Sequence, residues 1–182
     1  MTVTSSPAAL PRCPRPVALV LRPLPLRPLG LALSHFSRKM SAAHPGILRR
    51  LGDYARRSVL IDPTDLPFTL RLEPAGGPRI TAHRRGRAPA ADARIAGPVA
   101  AMIGMLHGRY DGDALFFSRD LMIEGDTEVV LALRNALDDA ELDLSEELAQ
   151  ISGPLAAPLR RLVAVIERLS GLSLHRTEGV AP

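Results

Sequence analysis

Two carboxylates in the turn at residues 125–128, with the sequence GDTE, have a spacing that could serve acid–base catalysis or metal binding. The turn follows a strand pattern and precedes a helix pattern, which offers a simpler explanation. Asp126 is placed to accept backbone N–H groups of the helix, and Glu128 meets the positive end of the helix dipole. Gly125 lets the strand reverse into the helix. None of these roles needs a substrate, so the turn predicts helix capping.

Other groups that could do chemistry are isolated. Asp111 and Asp113 form a second pair, but they precede an apolar helix and indicate its start. Cys13 is the only cysteine, which excludes an internal disulfide and a zinc site built from thiolates. Walker, G-x-S-x-G and G-x-G-x-x-G motifs do not occur in the sequence. No metal-ligand spacing is found among the five histidines, which are His35, His44, His83, His107 and His175. The sequence therefore predicts a protein that is not an enzyme and needs no metal or cofactor.

The composition favours an aliphatic core and a basic front end. Hydrophobic residues make up 46% of the chain, whereas aromatic residues make up only 3%. Residues 1–60 carry ten basic side chains and one acidic side chain, whereas the rest of the chain is mildly acidic. This asymmetry suggests contact with a membrane or a nucleic acid, and a solvated arm is the alternative. Nucleic acid is disfavoured, because the Arg-rich segments 49–57 and 84–87 offer only one aromatic residue, Tyr54, for base stacking.

Three regions follow from the sequence pattern. Residues 1–27 are rich in proline and arginine and predict a flexible arm. Residues 28–150 form the main domain, and residues 151–182 hold an amphipathic helix and a tail, with the helix over 154–170 packing on the body or docking on a membrane. Within the main domain, the patterns predict strands at 58–61, 68–73, 79–84, 91–97 and 119–125, and helices from about 28, over 45–56, from 98, over 111–117 and over 127–139. This mixture indicates an α+β fold.

Aliphatic surface on the helices beside this sheet is the most abundant feature. The ordinary interpretation is a packed core. The functional interpretation is that part of the surface lines a tunnel for an apolar ligand, and methionine is adaptable enough for either. The residues predicted to contact such a ligand are Phe68, Leu70, Ile95, Val99, Met102, Ile103, Leu106, Leu115, Phe116, Phe117, Leu121, Ile123, Val130, Leu133 and Leu137.

Residues 111–142 resemble the lipid-binding fold of sterol carrier protein type 2. More narrowly, they look like the UbiT subfamily of bacterial accessory factors in oxygen-independent ubiquinone biosynthesis. The resemblance rests on the paired Phe116-Phe117, on the segment IEGDTE at 123–128, and on an N-x-x-D-x-x-E helix end formed by Asn135, Asp138 and Glu141. The order of strands and helices over 58–142 agrees with it more loosely.

The resemblance implies a five-stranded, mainly antiparallel sheet with helices on one face, enclosing an apolar tunnel for one lipid. The implied ligands are isoprenoid quinone precursors, ubiquinone-like lipids or phospholipids. The implied partners are hydroxylation proteins of the peptidase-like family that carry iron–sulfur clusters, while this chain lacks the cysteines for such a cluster. A cytoplasmic location, peripheral on the inner membrane, fits this role, and a homodimer is compatible with it. A scaffold with the same fold and a filled core is the alternative to a carrier.

Overall fold

The computed structural model describes residues 12–106, 112–138 and 164. The helices are α1 (Arg15–Val20), α2 (Leu26–Ala43), α3 (Gly46–Leu51), α4 (Val99–Leu106), α5 (Gly112–Phe117) and α6 (Thr127–Asp138), with a 3₁₀ helix at Gly52–Arg56. The strands are β1 (Val59–Pro63), β2 (Phe68–Glu73), β3 (Arg79–Arg84), β4 (Ala93–Gly97) and β5 (Met122–Gly125). The helix predicted over 154–170 lies outside the described residues, apart from residue 164.

The five strands form one sheet in the order β3-β2-β1-β4-β5. Three of its four pairings are antiparallel, and the central pairing of β1 with β4 is parallel, with Val59 opposite Ala93 and Ile61 opposite Ile95. The pairing is parallel because the chain runs back along β1 between β3 and β4: Arg85 contacts Pro63 at the end of β1, whereas Asp92 contacts Ser58 at its start. The mainly antiparallel sheet expected from the resemblance is confirmed, with this parallel pair as an added detail.

The sheet has one apolar face and one polar face, because successive side chains of a strand point in opposite directions. Residues that are paired across strands share a face, which places Ile61, Leu70, Ile95 and Ile123 together. The helices pack on this apolar face, where they form hydrophobic clusters with the strand residues. The opposite face carries charged residues from all five strands, among them Asp62, Arg71, Glu73, Arg79, Arg94 and Glu124.

Helix α2 covers the free edge of the sheet at β3. The Ser34 hydroxyl accepts a hydrogen bond from the N–H of Ile80 at 2.8 Å and donates to the carbonyl oxygen of the same residue at 2.9 Å. Gly30 allows this approach, because a Cβ atom there would lie 3.1 Å from the Ile80 carbonyl oxygen. The contact satisfies edge groups that would otherwise be open to pairing with another strand.

The N-terminal segment differs from the flexible arm that the sequence predicts. From residue 12 onward it is part of the fold: α1 spans Arg15–Val20, and the side chains of Cys13 and Leu21 are buried in the same cluster as Phe68. The backbone N–H of Cys13 also donates to Asp65 at 2.8 Å. Leucines spaced between the prolines supply enough apolar surface to attach the segment to the body. Residues 1–11 lie outside the described part of the chain.

Candidate functional site

The GDTE turn caps helix α6, as its sequence predicts. One carboxylate oxygen of Asp126 accepts the backbone N–H groups of Glu128 at 3.2 Å and Val129 at 3.4 Å. Gly125 has a φ of +79°, and a Cβ atom there would overlap the carbonyl oxygen of Asp92. The capping role of Asp126 and the turn role of Gly125 are therefore confirmed.

The second carboxylate of the turn holds the 3₁₀ helix against α6. Glu128 accepts a hydrogen bond of 2.6 Å from the hydroxyl of Tyr54. This hydrogen bond, reinforced by the negative charge of Glu128, raises the pKa of the Tyr54 phenol above its ordinary value. The contact joins two elements that are far apart in the sequence, so it fixes the start of α6 relative to the segment that precedes β1.

A third carboxylate, at Asp92, fastens the beginnings of β1 and β4. It accepts the backbone N–H and the hydroxyl of Ser58, each at 2.8 Å, and pairs with Arg57 at 3.1 Å. The two hydrogen bonds from Ser58, followed by the one from Arg57, lower the pKa of Asp92 to about 2. Sequence reasoning did not single out this residue. Its position at the start of the predicted strand 91–97 was the available signal.

No group of three or more metal-binding side chains occurs within residues 12–106 and 112–138. In the same part of the chain, no helix is both long enough and apolar enough to cross a membrane.

Twelve of the fifteen predicted ligand-contacting residues lie in three hydrophobic clusters. The first cluster contains Phe68, Leu70, Val99 and Ile103 beside α1 and α2. The third contains Leu137 and part of the surface of Leu133, beside α3. The second, between β1, β4 and helices α4 to α6, contains Ile95, Met102, Leu115, Leu121, Ile123, Val130 and Leu133.

Phe117 of the aromatic pair lies outside the hydrophobic clusters. The side chain of Phe117 is 89% exposed, because it projects from the end of α5 into solvent. It therefore does not line an interior cavity in this structure, and its contact with a ligand stays a prediction. The side chains of Phe116 and Leu106 lie outside the part of the structure that can be described.

An apolar cavity of about 50 Å³ lies between the sheet and helix α6. Val59 of β1 and Ile95 of β4 form its floor, and Met105 of α4 closes one side. The remaining lining comes from α6 and consists of Val130, Leu133, Arg134, Leu137 and Asp138. The structure thus brings four of the predicted ligand-contacting residues together, namely Ile95, Val130, Leu133 and Leu137.

Sequence reasoning missed four residues of this lining. Val59 and Met105 are apolar, but they lie near the ends of the apolar patterns that predict the strand at 58–61 and the helix from 98. Arg134 and Asp138 form an ion pair of 3.4 Å across one turn of α6 and place a polar end on an otherwise apolar cavity. Their spacing of four residues on a helix was the signal that could have found them.

The cavity is small for the ligand that the resemblance implies. Pockets that enclose a small-molecule ligand occupy roughly 300–1,000 Å³, so about 50 Å³ accommodates a short segment of a chain. Leu133, Leu137 and Met105 are only partly buried.

Solved structures of sterol carrier proteins are similar to the chain. The "UbiJ-SCP2 Ubiquinone synthesis protein" is 20% identical with a TM-score of 0.48, covering 68% of this chain and 96% of that chain. The apo form of sterol carrier protein 2 from Yarrowia lipolytica is 11% identical with a TM-score of 0.46, covering 60% and 89%. Sterol carrier protein domain 2 of Helicoverpa armigera is 11% identical with a TM-score of 0.39, covering 63% and 89%.

No curated protein matches the chain by sequence. A family profile does match: that of the SCP-2 sterol transfer family, over residues 35–138. The matched segment runs from α2 to the end of α6 and so contains the whole sheet and every residue that lines the apolar cavity. On this match over more than half of its length, the chain belongs to the SCP-2 sterol transfer family.

Proposed function

We propose that the protein is a non-catalytic lipid carrier that holds the apolar chain of one lipid between the sheet and α6. The observation that carries the proposal is the apolar cavity, which is formed entirely by residues of the SCP-2 domain. Arg134 and Asp138 give the lining a charged part beside its apolar part, which suits a lipid with a polar head and an apolar chain.

Burial of apolar surface is sufficient to drive such binding. Each methylene group that leaves water contributes about 0.8 kcal/mol, so one isoprene unit of five carbons contributes up to about 3–4 kcal/mol. A few units give useful affinity even after the cost of ordering the chain. The carrier therefore needs a cavity that opens, and it needs no catalytic side chain.

We further propose that the carried lipids are isoprenoid quinone precursors or related lipids, and that the protein is an accessory factor of oxygen-independent ubiquinone biosynthesis. The resemblance of residues 111–142 to the UbiT subfamily supports this proposal. Phospholipids are the second ligand class in the same proposal. The oxidation chemistry would belong to hydroxylation proteins with iron–sulfur clusters, which would receive the lipid in the cytoplasm at the inner membrane surface.

A scaffold of the same fold with a filled core is the second candidate function. The observation that favours it is the cavity volume of about 50 Å³, which is far below that of an occupied lipid site. A scaffold would use its outer surfaces to assemble other proteins and would not need α6 to move. The two candidates therefore differ in whether the interior can be occupied.

Native mass spectrometry of the freshly purified full chain distinguishes the two functions. A carrier retains a lipid adduct, and extraction of that adduct identifies the lipid as prenylated or as a phospholipid. Incubation of delipidated protein with a short-chain prenyl quinone should restore the adduct. A protein that arrives without lipid and binds none in this incubation would be the scaffold.

A further inference from the structure

A second and larger hollow lies on the N-terminal side of the molecule, between the α1 segment and the loop after β1. This cleft has a volume of about 980 Å³, and it shares no lining residue with the apolar cavity. Its floor is apolar and includes Cys13, Ala18, Leu66 and Pro67. Its polar lining consists of Arg12, Arg22, Thr64, Asp65, Arg84 and Arg85.

The single acidic group of this lining is already engaged by the backbone. One carboxylate oxygen of Asp65 accepts the N–H of Cys13 at 2.8 Å, and the other accepts the N–H of Val99 at 2.9 Å. Asp65 therefore joins the α1 segment to the start of α4. Within the described residues, no hydrogen bond or ion pair connects it to the arginines of the cleft. Four guanidinium groups against one carboxylate give the cleft an excess of positive charge.

The arginines of the cleft fall into two groups. Arg85 is occupied in holding the loop after β1: it pairs with Asp62 and donates to the carbonyl oxygens of Pro63 at 2.6 Å and Leu66 at 2.8 Å. Arg12 and Arg22, by contrast, are exposed, and no ion pair joins either of them to an acid within the described residues. These two guanidinium groups can receive an incoming anion.

Arg84 adds a third guanidinium group at the wall of the cleft. Its Nη2 atom donates to the carbonyl oxygen of Leu24 at 2.8 Å, which fixes the guanidinium there. No ion pair joins Arg84 to an acid within the described residues. An anion in the cleft would neutralise Arg12 and Arg22, and the charge of Arg84 would attract it further.

We propose that this cleft is a binding site for a phosphate group, borne by a free phosphorylated compound or by the head group of a lipid. Guanidinium groups are the preferred partners of phosphate, because their N–H groups form paired, charge-assisted hydrogen bonds with its oxygens. Thr64 adds a hydroxyl donor, and the apolar floor accommodates a carbon chain or ring attached to the phosphate. The site is separate from the apolar cavity and does not depend on the carrier function.

A second basic cleft lies near the 3₁₀ helix and is lined by Arg38, Arg56, Arg57, Arg71 and Arg79. Its two acids are both ion-paired within it, Glu73 with Arg71 and Asp92 with Arg57. It also has a smaller volume, of about 570 Å³. Arg56 is an exposed arginine of this cleft and serves as a control, because its removal changes the net charge of the protein without touching the proposed site.

Isothermal titration of the full chain with inorganic pyrophosphate tests the free-anion arm of the proposal. We expect saturable binding that the double variant R12Q/R22Q weakens by about tenfold or more, the loss that corresponds to one charge-assisted hydrogen bond. Both residues are exposed, so the variant should fold, and its melting temperature verifies this. R84K keeps the charge but loses the planar fork, so it should also weaken binding. R56Q should leave the affinity within about twofold of wild type, since surface charges are largely screened.

The lipid arm uses two soluble short-chain lipids below their micelle concentrations, dihexanoyl phosphatidic acid and dihexanoyl phosphatidylcholine. If a lipid head group is the ligand, phosphatidic acid binds with the same sensitivity to R12Q/R22Q, and the choline-masked lipid binds more weakly. Binding of either probe with that sensitivity supports the site. The probe that binds shows whether the phosphate group comes from a free compound or from a lipid head group. The proposal is overturned if neither probe binds, or if R56Q weakens binding as much as R12Q/R22Q does.

The apolar cavity provides the control that separates this site from the proposed function. Retention of a prenyl lipid by the R12Q/R22Q variant is measured in parallel, and we expect it to be unchanged because the two hollows share no residue. A protein that binds pyrophosphate but no prenyl lipid would refute the carrier function alone. A protein that carries prenyl lipid but binds neither phosphate probe would refute the cleft alone.

Discussion

Filling the apolar cavity with a larger side chain should weaken lipid binding while the protein remains folded. Val130 is 5% exposed and lines the cavity from α6, so Val130→Phe directs an aromatic ring into it. The cavity of about 50 Å³ has room for about two methylene-sized groups, if each occupies about the 30 Å³ of a water molecule. At about 0.8 kcal/mol per methylene, the ring displaces about 1.6 kcal/mol of ligand binding, which is about a 15-fold loss of affinity.

The assay is displacement of a fluorescent prenyl or fatty-acyl probe from delipidated protein. Leu131→Phe is the matched control: it adds the same ring at the next position of α6, where the side chain is 54% exposed and does not line the cavity. We expect wild-type affinity from this control. The opposite change, Val130→Ala, enlarges the cavity and should maintain or increase affinity, although loss of buried methyl groups lowers the free energy of unfolding.

The stability of Val130→Phe is measured alongside its affinity. Overpacking a core position costs about 1–3 kcal/mol of the free energy of unfolding, so urea denaturation should show a destabilised but cooperative transition. A cooperative Val130→Phe variant with wild-type probe affinity would refute the location of the site. Equal losses of affinity in Val130→Phe and Leu131→Phe would indicate that α6 as a whole, and not its inner face, determines binding.

Three further predictions concern the carboxylates. Asp126→Ala should lower the free energy of unfolding by about 1 kcal/mol through loss of the α6 cap and leave probe affinity unchanged; abolished binding at an unchanged melting temperature would contradict the capping role. The pKa of Asp92 is lowered to about 2, so its contribution to stability is complete above the unfolded pKa near 4 and is lost as the pH falls toward 2. Urea unfolding between pH 2 and 5 should therefore show a pH dependence that is smaller in Asp92→Asn, and equal slopes would count against the contacts with Ser58. Spectrophotometric titration should place the Tyr54 phenol above its ordinary pKa, and Glu128→Gln should remove most of that shift; a phenol that titrates normally in wild type would show that the hydrogen bond does not persist in solution.

The central hairpin could be predicted from the sequence because several local signals agree there. Alternation of apolar and polar residues defines β2 and β3, and the segment PAGGP between them is a turn, with Gly76 and Gly77 at positive φ. The bounds predicted for both strands, 68–73 and 79–84, are those observed. The cap at Asp126 was predictable for the same reason, since a capping residue interacts with its own helix.

The segment before β5 shows where local patterns are insufficient. A strand was predicted from residue 119, whereas β5 begins at Met122. The intervening residues form a turn in which the N–H groups of Asp120 and Leu121 both donate to the carbonyl oxygen of Leu115, and Arg119 adopts a φ of +61°. A left-handed conformation at a residue other than glycine depends on tertiary contacts that a sequence pattern does not contain.

The candidate site was only partly predictable, for a different reason. A periodic pattern indicates that Val130 and Leu133 face the interior. It does not indicate whether they touch the sheet or are separated from it by a cavity. The gap depends on the distance between α6 and the β1–β4 pair, which is determined by packing across the whole domain. The burial of the N-terminal segment was missed similarly, because prolines argued for an irregular chain whereas Cys13 and Leu21 find apolar partners in three dimensions.

The positions of the acidic side chains support the carrier over an enzyme built on the same residues. Asp65, Asp92 and Asp126 each accept backbone N–H groups, so their lone pairs are used in joining segments of the fold. Asp62 is buried between Arg85 and Arg94. A general base works best with a pKa near the operating pH. Hydrogen bonds donated to a carboxylate lower its pKa away from that range, to about 2 for Asp92. Acids held in this way are weak bases and join segments of the fold, which is the role that the proposed carrier function requires of them.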